Sequence, residues 1–184
     1  MRDPVQPFSF AVKVGHVSAN PITVHMEADE RERAALAKTW GVLSVSAFSA
    51  DFSVVRWKRD GINLFGTVHA VLEQACVVTL EPIEQTIQEE IEVLFVPEGS
   101  KLARDEIVNG ELVIDADAPD LPEVFTGDTI DAGAIAAEYA AMSIDQYPRK
   151  PGAEFVEHIE SDGQEGDGKP SPFAVLKGWK GDSQ

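Results

Sequence analysis

The chain has 184 residues and 43% hydrophobic content, enough for one packed domain and a tail, or for two very small domains. Its formal net charge of −17 disfavours non-specific binding to nucleic acid, which depends on cations that neutralise phosphates. No apolar run approaches the roughly 18 residues of a membrane-spanning helix, and the segment Met1 to Pro7 lacks the continuous apolar stretch of a signal peptide.

Phe8 to Val14 alternates in part and predicts a half-buried strand; Asn20-Pro21 marks a turn, and Ile22 to Glu27 predicts a second short strand. Asp29 is a candidate N-cap, with Glu32 three residues on completing a capping box. Good helix formers follow from Arg31 to Trp40, Leu36 and Trp40 share a face, and Gly41 is a natural stop.

From Val42 the pattern turns to β. Three long antiparallel strands are predicted over 44–58, 63–79 and 85–96. Asp60-Gly61 gives a hairpin signal between the first two, and Pro82 breaks the chain before the third. On the second strand, Val68, Ala70, Leu72, Gln74, Cys76 and Val78 share one face, with His69 on the other. Residues 98–128 read as an acidic loop with one short strand around Leu112-Val113-Ile114. Asp131 is the expected N-cap of a helix from Ala132 to Ser143, with Ile135, Tyr139 and Met142 as its buried stripe. Residues 157–172, rich in Glu, Asp, Gly, Ser and Pro, are expected to be disordered, ahead of an apolar patch at 172–179. The architecture expected is α+β: a mainly antiparallel, curved, partly barrel-like sheet flanked by two short helices. Its domain spans 1–152, and 153–184 form a flexible acidic tail.

The constellations that could carry chemistry are few. Cys76 is the only cysteine, which excludes an internal disulfide and agrees with a reducing compartment. As a nucleophile it would need a base in reach, and His69 points to the opposite face, so a buried, inert thiol is expected. Four scattered histidines and one cysteine do not supply a zinc site. Asp115 to Asp120 is a carboxylate cluster without the glycine of an EF-hand loop. No catalytic residue, metal or cofactor is assigned.

Two surface features remain. Arg56-Trp57-Lys58-Arg59 is the one basic cluster and a candidate RNA contact, with Trp57 able to stack a base. Alternation places Arg56 and Lys58 on one side of the strand and Trp57 on the other. The acids, in contrast, are concentrated: residues 84–138 hold 15 acids and 2 bases. Glu89, Glu90, Glu92, Asp105 and Glu106 form a candidate docking face for a basic partner. In the tail, Pro172, Phe173 and Leu176 either dock back on the sheet or recruit a partner.

The stretch Cys76-Val77-Val78-Thr79-Leu80-Glu81-Pro82 resembles the YceD family, many of whose members carry Cys-x-x-Cys-x-x-Pro here. Asp145-Gln146-Tyr147-Pro148-Arg149 and Pro170 to Leu176 extend the resemblance. Thr79 stands in place of the second cysteine, as in a variant seen in alphaproteobacteria, which puts any metal or redox role of that pair in doubt. The resemblance implies a cytoplasmic, non-enzymatic role in accumulation of large-subunit (23S) ribosomal RNA and in large-subunit assembly. Cys76, Leu80, Glu81 and Pro82 would then be structural motif residues. The partner expected is a basic ribosomal protein or 23S rRNA, with no membrane or DNA contact. The alternatives are a metal-dependent RNA-processing enzyme and an interaction module for a non-ribosomal enzyme.

Overall fold

The computed structural model describes residues 6–15, 17, 20–103, 107–108, 111–112 and 121–153. Asp105, Glu106, the Asp115–Asp120 cluster and the tail with Pro172, Phe173 and Leu176 lie outside the described residues. Residues 1–151 form one contact unit, which holds every element named below.

Strands β1 (Ala11–Lys13) and β2 (Ile22–Glu27) precede helix α1 (Glu30–Trp40). The long strands β3 (Ser44–Trp57), β4 (Gly61–Ala75) and β5 (Pro82–Pro97) follow, then the short β6 (Ile107–Val108), β7 (Glu111–Leu112), β8 (Glu123–Phe125) and β9 (Thr129–Asp131). Helix α2 (Ala132–Met142) is the last element described. The main sheet has the order β2-β3-β4-β5-β8; all its pairs are antiparallel except β5 with β8. It is an open sheet, which corrects the partly barrel-like form expected: β1 pairs with β9, apart from the main sheet, instead of closing it.

Local chemistry sets the boundaries. Asp29 accepts from the Glu32 N–H at 2.8 Å and the Glu32 carboxylate accepts from the Asp29 N–H at 2.9 Å, so the capping box forms. Gly41 closes α1 in the left-handed conformation at φ 70°. Asp131 caps α2 and also accepts from Ser9 Oγ at 2.6 Å and the Phe10 N–H at 2.8 Å, tying the start of the chain to that helix.

Alternation puts Phe48, Ala50, Phe52 and Val54 of β3, Leu64, Val68, Ala70 and Leu72 of β4, and Ile87, Ile91, Val93 and Phe95 of β5 on one buried face. A bulge between Val45 and Ala47 shifts the register and brings Val45 to that face as well, where unbroken alternation would put it with Ala47 on the other. Both helices cover this face. Leu36 is fully buried, Trp40 packs edge-on to Phe48 at 5.7 Å, and Ala132, Ala136 and Ala140 make a smooth α2 surface. Each large buried side chain contributes about 1.5–3 kcal/mol. The expected α2 stripe is corrected: Ile135 is buried, Tyr139 is partly buried, and Met142 is 64% exposed. Small alanines, not Met142, make the contact.

β4 ends at Ala75 rather than 79, and β5 starts at Pro82. Ala75 pairs with Pro82, so 76–81 is the loop of a hairpin, and Cys76 sits in that loop instead of on the strand. Gly66 permits the close pairing of β3 and β4: a Cβ there would lie 2.0 Å from the Asp51 carbonyl oxygen.

Candidate functional site

The 76–81 loop is built around sulfur. The Cys76 N–H donates to the Glu81 carbonyl at 2.8 Å, and the Leu80 N–H returns to the Cys76 carbonyl at 2.9 Å. Leu80 takes a left-handed conformation, φ 61°, with its side chain 76% exposed. Cys76 itself is buried, and its Sγ accepts from the backbone N–H groups of Lys150 (3.4 Å), Thr79 (3.4 Å) and Val78 (3.5 Å). The Lys150 amide, then the Thr79 hydroxyl and amide, and to a smaller extent the Val78 amide lower the thiol pKa from 9.0 to about 6, against a smaller upward push from burial. Cys76 is buried, as the sequence predicts, and the N–H groups that converge on its sulfur favour the thiolate form. Lys150 Nζ meets Glu81 Oε2 at 2.6 Å, and that contact lowers the Glu81 pKa and raises that of Lys150. The Val77 N–H donates to the Pro148 carbonyl, so the motif loop and the 148–150 segment are sewn together through the backbone. Among the described residues no group of three or more His, Cys, Asp or Glu is placed to hold a metal.

The basic cluster sits at the β3–β4 turn. The Arg56 guanidinium is spent on the turn itself, donating to the Arg59 carbonyl at 2.8 and 3.3 Å. Lys58 adopts φ 53° and lays its Nζ over the Trp57 ring at 4.1 Å. The turn thus brings Lys58 and Trp57 together, where strand alternation had separated them. Lys58 and Arg59 are exposed.

The face of the main sheet opposite the helices carries Thr23, His25 and Glu27 of β2, then Ser49, Asp51 and Ser53 of β3. Asn63, Phe65, Thr67, His69 and Glu73 of β4 and Glu84, Gln88, Glu90 and Glu92 of β5 continue it. These four strands present six carboxylates and neither Lys nor Arg on this face. His25 Nδ1 lies 2.7 Å from Asp51 Oδ1. Glu90 and Glu92 share this face, but Glu89 does not: it pairs with Val68 and has the parity of Ile87 and Ile91, on the helix side. The structure thus separates a set that the sequence had grouped. Phe65, 40% exposed, and Lys150 escaped the sequence reading. An aromatic at an outward register position was a visible signal for the first; for Lys150, a contact spanning 74 residues left none.

A family model described as "Large ribosomal RNA subunit accumulation protein YceD" matches residues 64–180, more than half of the chain. The chain belongs to the YceD family. No curated protein and no solved structure matches it. The match covers the Cys76–Pro82 loop, β5, α2 and the 145–150 segment, so the YceD features include the elements that build both the sulfur-centred loop and the acidic strand. The family description ties YceD proteins to accumulation of the large ribosomal RNA subunit. No helix among the described residues is long and apolar enough to cross a membrane.

Proposed function

We propose that this YceD protein supports accumulation of large-subunit ribosomal RNA in the cytoplasm by binding, without catalysis, and that its direct partner is a basic ribosomal protein. The observation that carries the reading is the helix-free face of the sheet: six carboxylates, no lysine or arginine, and one of those carboxylates, Asp51, within reach of a histidine. Such a face attracts a cationic protein and repels bare phosphate. Before assembly a ribosomal protein exposes cationic segments that will later meet rRNA. An acidic protein can cover them until then, and the family's link to rRNA accumulation fits that role. Lys58, Arg59 and the Trp57 ring offer a smaller, separate contact for RNA at the end of the β3–β4 hairpin.

The test is capture of partners from cell lysate by the tagged full chain at low and high salt, with and without RNase. The expected result is a basic ribosomal protein held at low salt, released at high salt and indifferent to RNase. Capture that ignores salt, or that RNase abolishes, overturns the reading.

A further inference from the structure

The acidic face has a defined recess. It has a volume of about 640 Å³ and is lined by Asn63, Phe65, Gly66 and Thr67 of β4 with Glu90, Ile91 and Glu92 of β5. Gly66 and Ile91 have the parity of the buried face, so they contribute backbone to the floor. Phe65 forms one wall and stands directly opposite Glu92 in the β4–β5 register, while Thr67 stands opposite Glu90. Asn63 Nδ2 donates to Glu92 Oε1 at 2.7 Å and fixes that carboxylate at the rim. The Asn63 Oδ1 is buried without a hydrogen-bond partner. The next position along the Thr67 row is Asp51 of β3.

An aromatic side chain beside two carboxylates, with Asp51 one row further on, matches one chemistry: a planar or compact cation that donates several hydrogen bonds. β5 is also open along its edge. β8 pairs with it only at Phe95, Val96 and Pro97, so from Ile83 to Leu94 that edge has no strand partner among the described residues. We propose that an extended basic segment of a partner protein lies along β5 and inserts an arginine or lysine side chain into the recess beside Phe65. The inference rests on the reading of the acidic face given above and names its anchor. Edge pairing would supply backbone hydrogen bonds, and the recess would select the cation.

The probe is a short synthetic peptide alternating arginine with threonine, labelled for fluorescence anisotropy, with a citrulline-for-arginine version as the uncharged control. Binding to the full chain is compared with Phe65→Ser, with Glu90→Gln/Glu92→Gln, and with Glu98→Gln/Glu138→Gln, which removes two charges away from the recess. Thermal melts confirm that each variant folds; Phe65 is on the open face, so its loss spares the core. The expected result is binding of the arginine peptide alone, weakened about tenfold or more by each recess variant and only about twofold by the distant pair. Equal binding by all variants, still sensitive to salt, overturns the recess and leaves the acidic-face reading standing. Failure of the wild-type chain to bind the peptide overturns the recess too; the lysate capture then decides the broader reading separately. Binding that emerges only when residues 154–184 are deleted overturns an external occupant in favour of the chain's own tail.

Discussion

At Cys76 the backbone does the work usually assigned to a neighbouring base. Three amide N–H groups converge on one sulfur, two of them from the loop and one from Lys150. They stabilise the thiolate, so the folded pKa of about 6 lies well below the ordinary 9.0. A group with a depressed folded pKa contributes stability that is fully present above its unfolded pKa and is lost as pH falls towards the folded value. The stability advantage of the native chain over Cys76→Ser should therefore grow as pH rises from 6 to 9. Urea denaturation at several pH values measures it, and a pH-independent difference would show that the sulfur is not ionised. The nearby Lys150–Glu81 pair is half-exposed on both sides and adds little, because solvent screens it. Cys76 and Pro82 were visible as a motif in the sequence. The convergence on Cys76 was not, because its largest contribution comes from an amide far along the chain.

At the start of α2 one side chain makes three hydrogen bonds. Asp131 accepts from the Ala134 N–H as an N-cap, and from Ser9 Oγ and the Phe10 N–H across the start of the chain. Asp131→Ala should cost about 1–2 kcal/mol in chemical denaturation, and Ser9→Ala distinctly less; equal costs would mean the cap itself contributes nothing. Both helices were legible because caps and periodicity are local: Asp29, Glu32 and Gly41 bound one, and Asp131 opens the other. The three long strands were legible for the same reason, since alternation survives over many residues. What escaped was non-local. The Val45–Ala47 bulge reverses a face within β3, the three-residue β8 owes its place to parallel pairing with β5, and β9 owes its place to β1. Met142 kept the helical spacing of a core residue, yet the close packing of Ala132, Ala136 and Ala140 left it outside. On the acidic strand, alternation alone would have separated Glu89 from Glu90 and Glu92; grouping by charge concealed it.

Within residues 1–151 the main sheet is two-sided. One face is closed by two helices over an apolar interior, and among the described residues the other carries negative charge. On β2 to β5 the six carboxylates of this face stand opposite buried apolar side chains, so their mutual repulsion is kept out of the core. The order of assembly follows from the β1–β9 pairing. Ala11 meets Asp131, Val12 meets Ile130 and Lys13 meets Thr129, so the first strand waits for a partner made more than a hundred residues later. The β2–β5 meander can form from neighbours alone, whereas the N-terminal segment and α2 must close together as a late latch. A fragment ending at Ser100 should then show strand structure by circular dichroism but remain open to protease at Phe8 and Phe10, sites shielded or tethered in the full chain. If those sites are protected in the fragment, the latch is not the last piece to engage. During synthesis such a protein would pass through a stage with its sheet assembled and covered by α1 alone, the rest of its greasy side closed only when the helix after Asp131 leaves the exit tunnel.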